Sequence, residues 1–147
     1  MCICGCITTE HNTVQHFLHV SGYAEMLSGL INKFDKRHID RITRENKRYG
    51  GTCETIDVPC YNLNKILEKE KITHVDFLSI DTEGGEFEIL QNIDFSKYRI
   101  DVITVEDNYK ADPFIPLLEE KGFTFVTTLG ADLVFVNNNL NVQSMKE

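Results

Sequence analysis

The reading of this 147-residue chain turns on Val75-Asp76-Phe77-Leu78-Ser79-Ile80-Asp81-Thr82-Glu83-Gly84-Gly85-Glu86-Phe87-Glu88-Ile89-Leu90. Its first six residues are β-rich and mostly apolar, as expected of a strand covered on both faces. From Gly85 the texture changes, and Phe87, Leu90 and Ile93 recur at three-residue steps, the stripe of a short helix. Between strand and helix lie two carboxylates, Asp81 and Glu83, and two glycines, set where a side chain would obstruct a tight turn or a ligand. Strand, acidic turn and helix form one half of an α/β unit. In open α/β sheets ligands bind beyond the carboxyl ends of the strands, which makes this turn the first place to look for chemistry.

Working outward, Asp101 to Val105 reads as the next strand and delivers Glu106, Asp107 and Asn108 to the same rim. Asp112-Pro113 reads as an N-cap with proline at the first helical position, and Gly122 closes that helix. Phe123 to Thr128 and Leu133 to Asn137 form a terminal hairpin through Leu129-Gly130-Ala131-Asp132. Upstream, Thr55 to Val58 is a strand, and Asn62 or Asn64 caps a helix carrying Leu63, Ile66 and Leu67. Val14 to Val20 and Cys2 to Thr8 are further strands. Residues 23–49 read as one or two helices ending at Gly50-Gly51. The order predicts an α/β fold with an open sheet, parallel except near one edge. One domain spans 1–147, with a basic helical insertion at 21–51 and a core region at 52–137.

Composition narrows the function. Fifteen Lys and Arg stand against 23 Asp and Glu, a net charge of −8. That balance argues against a protein devoted to coating nucleic acid or anionic membrane. Residues 33–48 run the other way, with seven basic residues against Asp35, Asp40 and Glu45. They read as a charged, exposed helix; an anion-binding patch is the alternative, and no interleaved aromatic residues favour nucleic acid. The longest apolar runs are far short of the ~18–20 residues of a membrane span, and no secretory signal opens the chain. Five cysteines without an export signal suggest reduced thiols in the cytoplasm. Cys2, Cys4 and Cys6 alternate as on one strand face and read as buried small hydrophobes. Structural zinc normally uses ligand pairs two to four residues apart, so no metal is expected. Nucleotide-binding glycine loops and the serine nucleophile elbow have no match.

Asp81, Glu83, Glu106, Asp107 and Asn108 thus converge on one edge. From spacing alone they suit catalysis or coordination, and equally a capped helix with a solvated rim.

Val58-Pro59-Cys60-Tyr61-Asn62-Leu63-Asn64-Lys65-Ile66-Leu67, together with the 75–90 stretch, resembles the FkbM family of S-adenosylmethionine-dependent methyltransferases. That family carries V-x-x-x-x-L-D-x-L-L, with Asn64 here in place of Asp, and then I-D-x-E-G-x-E-x-x-x-L. Ile103 to Glu106 and Leu129 to Val136 are similar to its closing strands. The resemblance covers residues 56–137. It implies a class I, Rossmann-like fold and methylation of a hydroxyl on a carbohydrate or small molecule. It further implies Asp81, Glu83 and Glu106 as catalytic residues, and Cys6, Ile7 and Asp81 as cofactor contacts. Glu83, Gly84, Glu106 and Asn108 would bind the acceptor. The family's first strand with its D-x-G-x-x-x-G loop, and the acidic end of its second strand, have no counterpart in this sequence. Cys2 to Thr8 falls on the third strand of the family, so the chain is expected to be an N-terminally truncated domain, incomplete as a lone enzyme. The other expectation is a catalytically silent homologue that docks to a complementing partner, or to a second copy, through an exposed sheet edge.

Overall fold

The computed structural model describes residues 2–110 and 113–140, and its secondary structure falls into two separate four-stranded sheets. In the first, β1 (Cys6–Ile7), β4 (Gly51–Tyr61), β2 (Thr13–Gly22) and β3 (Gly29–Leu30) lie side by side in that order. In the second the order is β5 (His74–Ile80), β6 (Arg99–Glu106), β8 (Asp132–Asn137) and β7 (Phe123–Leu129). Only β1–β4 and β5–β6 pair in parallel; every other ladder is antiparallel. The expected single, mostly parallel sheet is therefore corrected to a mixed α/β architecture. The cause is the long ladder in which Thr13–Gly22 pairs antiparallel with Gly51–Tyr61, a pairing that holds β4 away from β5.

Four helices complete the fold: α1 (Lys36–Tyr49), α2 (Leu63–Lys69), α3 (Glu86–Asn92) and α4 (Phe114–Glu120). The helix expected over 23–49 starts late. Residues 25–27 and 31–33 are single 3₁₀ turns flanking β3, and α1 begins only where the Asp35 carboxylate accepts the Arg37 N–H at 2.7 Å. That bond satisfies a donor that the first helical turn leaves free. At the other end Gly50 takes a positive φ of 80° and releases the chain into β4. Asn62, rather than Asn64, caps α2, accepting the Lys65 N–H. Pro113 sits at the cap of α4, not at its first helical position, and the expected cap Asp112 lies outside the described residues.

The cysteine expectations also change. Cys2 and Cys4 precede β1 and are exposed, as is Cys53 on β4; Cys60 alone is buried. Cys6 sits opposite Cys60 in the β1–β4 register. The alternating strand is cut to two residues because β4 offers a partner only at Cys60 and Tyr61.

Two apolar cores result. The larger joins Ile80, Ile103, Val105 and Phe135 of the second sheet to Ile89 and Leu90 of α3 and to Leu118 of α4. The smaller gathers Val20, Ala24, Leu27 and Ile42, with Leu18 and Phe34 at its edge. Between them runs the acidic turn.

Candidate active site

β5 ends at Ile80, and the chain turns back through Asp81-Thr82-Glu83-Gly84-Gly85 into α3. The turn is built around Glu86. This carboxylate is buried and accepts the Thr82 N–H at 2.6 Å, the Thr82 hydroxyl at 2.8 Å and the Gly84 N–H at 3.0 Å. Charge-assisted bonds of this kind are among the strongest a turn can have. The conformation they hold is costly, because Glu83 is left-handed at φ 60°. Gly84 follows at φ 124°, and a Cβ there would drive into the Lys33 carbonyl.

Two cavities open on either side of this turn. One, of about 280 Å³, is lined by Glu83, Gly84, Glu106, Asp107, Asn108 and Tyr109, with Lys33 to Asp35 closing its rim. The other, of about 220 Å³, is lined by Gly5 to Thr8, Phe17, Leu30, Asp81 and Thr82 among others. Lys33 borders both, and its ammonium is paired with Glu88. The sequence-derived site residues sort between them. Glu83, Gly84, Glu106 and Asn108 lie in the first cavity, and Cys6, Ile7 and Asp81 in the second. Gly84 lines its cavity, but its N–H is already given to Glu86.

One carboxylate oxygen each from Asp81, Glu83 and Glu106 falls within 4.8 Å of the other two. Crowding like charges in a partly desolvated site favours retained protons. Burial, followed by the charges of Glu106 and Asp81, pushes Glu83 up to about 7, with Arg41 opposing. Burial, followed by Asp81 and Glu86, likewise pushes Glu106 up to about 7, while a hydrogen bond with Asn108 offsets part of the rise. Asp81 is raised by burial first and by the Glu86 charge second. We read the three as a proton-sharing cluster. A second group of approaching ligand atoms, His74, Asp76 and Asp101, lies at the opposite end of β5 and β6, where Asp101 is already held by Arg99 and His74.

The chain matches the methyltransferase FkbM domain over residues 6–127. It belongs to the FkbM methyltransferase family. No curated protein and no solved structure matches it. The match takes in β1, the basic helix α1 and every residue lining the two cavities except Gly5.

Three residues of the site were not anticipated from sequence. Glu86 stands at the first position of α3, and in the structure its carboxylate is the anchor of the turn. His38 is 1% exposed, and its ring stacks on Phe34 at 4.6 Å between centroids. The signal was there in Phe34, His38 and Ile42, spaced four apart in sequence, although Phe34 lies just ahead of α1. Tyr109 directs its hydroxyl to His38 and lies beneath the Arg37 guanidinium, 4.7 Å from the ring centre. Within the basic segment Arg37 is paired with Asp35 and Arg41 with Glu45. Among the described residues no helix is long and apolar enough to cross a membrane.

Proposed function

We propose that this domain takes part in methyl transfer from S-adenosylmethionine to a hydroxyl of a carbohydrate or small molecule. The smaller cavity would hold part of the cofactor, and the acidic cavity would hold the acceptor. The supporting observation is the partition across one turn. The residues that the family resemblance implies for cofactor line one cavity, those it implies for acceptor line the other, and Asp81 and Glu83 stand two residues apart between them. In this reading the parallel pair β5–β6, continued by β8 and β7, is the closing half of a Rossmann-like sheet.

The residues present fit a part of the cofactor. Ile7, Phe17 and Leu30 give the smaller cavity apolar walls, and Asp81 and the Lys33–Glu88 pair give it polar ones, as a flat base with polar substituents would require. At about 220 Å³ it is below the ~300–1,000 Å³ usual for whole ligands, and the sequence has no glycine-rich loop to cradle the remainder. The cofactor, when bound, supplies an electrophilic methyl group on a sulfonium. The chain's own residues do the rest. Asp81 orients, from the cofactor side of the turn. Glu83 and Glu106, with proton affinities near neutrality, take the proton that the acceptor hydroxyl loses as its oxygen forms the new bond to carbon.

Titrating S-adenosylmethionine into the isotope-labelled chain tests this. Resonance changes are expected at Cys6, Ile7, Asp81 and Thr82, with weak affinity, near ~1 mM. Silence at those residues up to ~10 mM overturns the cofactor assignment, whereas affinity near ~1 μM overturns the view that the missing loop carries most of the binding.

A further inference from the structure

Charge is one-sided in the acceptor cavity. Among the described residues Lys33 is the one cation lining it, and its ammonium is taken by Glu88. Of the lining acids, Asp35 is engaged by Arg37, and Glu86 by the donors of the turn. Glu83, Glu106 and Asp107 remain. Among the described residues no lysine or arginine pairs with any of the three. Arg41 acts on Glu83 more weakly than Glu106 and Asp81 do, and is itself paired with Glu45. His38 has its Nδ1 hydrogen-bonded to the Tyr109 hydroxyl.

Uncompensated acids in a cleft with low-dielectric walls concentrate a negative potential, which draws in a cation and repels an anion. The proton affinities of Glu83 and Glu106 carry its mark. Burial first, and neighbouring carboxylates second, make each hold a proton where no other positive partner is at hand. The remaining lining groups point to the kind of cation. Phe34, Tyr109 and Phe114 bring three aromatic rings to the same cavity. Ring faces attract ammonium and guanidinium groups, as the Arg37 guanidinium over Tyr109, 4.7 Å from its centre, already does. A magnesium ion instead asks for about six oxygens and keeps much of its water, for which apolar rings do nothing. At about 280 Å³ the space is also that of a small organic molecule.

We propose that the acceptor bound in this cavity is positively charged, an amine-bearing carbohydrate or small molecule whose ammonium is held by the lining carboxylates and aromatic rings. This rests on reading that cavity as the acceptor site. A protonated amine has no free electron pair, so it serves as a handle, and the hydroxyl remains the group that takes the methyl. The same charge turns away phosphorylated and carboxylated acceptors.

Three sugars that differ at one carbon test this without cofactor: 6-amino-6-deoxyglucose, glucose and glucose 6-phosphate. Each is titrated into the isotope-labelled chain at about pH 8, where Glu83 and Glu106 are ionised and an alkyl amine of the lysine kind keeps its proton. The amino sugar is expected to move the amide resonances of Glu83, Gly84, Asn108 and Tyr109 with an affinity at least ~tenfold above that of glucose, and the phosphate to leave them still. Replacing Glu106→Gln together with Asp107→Asn should cut that advantage at least ~threefold. Should the double variant unfold, ~0.5 M salt on the parent chain screens the same charges and is expected to have the same effect. Glucose or glucose 6-phosphate binding as tightly as the amino sugar, or an amino sugar silent up to ~50 mM, overturns the proposal. So does an advantage indifferent to both the variant and the salt. Magnesium chloride that moves the same amides at ~1 mM and abolishes the advantage overturns it too, the acids then serving a metal. Failure here leaves the cofactor titration standing, and failure there leaves the charge preference standing.

Discussion

Glu83 and Glu86 are three residues apart and have opposite work. Glu86 is satisfied by three donors and holds the turn, whereas Glu83 is raised to about 7 by burial and by its acidic neighbours. A carboxyl whose folded value exceeds its unfolded one binds more protons when folded, between about pH 4.5 and 7. Its contribution to stability is therefore best at acid pH and is lost as pH rises through that window. Glu83→Gln and Glu106→Gln, which remove the charge, are expected to raise the melting temperature at pH 8. The gain should be about 1–2 kcal/mol each, the full shift being discounted for screening at a partly open rim. By pH 5 the advantage should vanish, as thermal melts at the two pH values will show. A site that destabilises its own fold in this way is expected where chemistry requires it. Asp81, Glu83 and Glu106 were legible in the sequence because strand ends in α/β folds converge. His38 was not, because it is embedded among Lys36, Arg37 and Arg41, whose charge suggested a wholly solvated face.

The strand-to-helix elements around the turn were legible for a different reason. β5, α3, β6 and the β7–β8 hairpin carry periodicities and turn residues that depend on near neighbours. The ladder between β2 and β4 does not, since its register pairs Thr13 with Cys60 and Gly22 with Gly51 across an intervening helix. Nothing local encodes that choice, so the expected parallel sheet gave way to two. The element that joins them is Asn62, at the end of β4. Its amide donates to the Thr9 carbonyl at 2.9 Å and to Asn92 at 2.6 Å, while its oxygen caps α2. Asn62→Ala would remove the cap and leave buried groups of both sheets' attachments without partners. The expected loss is about 2–3 kcal/mol, read as a lower urea midpoint with unchanged slope.

At the scale of the whole molecule, β5 has a ladder partner on one side only among the described residues, and Phe77 on that strand is 59% exposed. An apolar edge with free backbone groups is a template for pairing with another chain. Self-association through this edge is the expected outcome in sedimentation velocity, with Phe77→Lys reducing it several-fold without lowering the melting temperature; a monomeric parent chain, or association unchanged by the substitution, would overturn the expectation.

The cavities, finally, belong to neither core. The 28–35 segment supplies one wall and reaches the small core through Phe34, while the acidic turn and the end of β6 supply the other and pack on the large one. Small cooperative units open more readily than large ones, and a ligand that touches both walls selects the closed state. Occupancy and the order of the small half are then one equilibrium. Part of every binding free energy measured on this chain is the free energy of completing its fold.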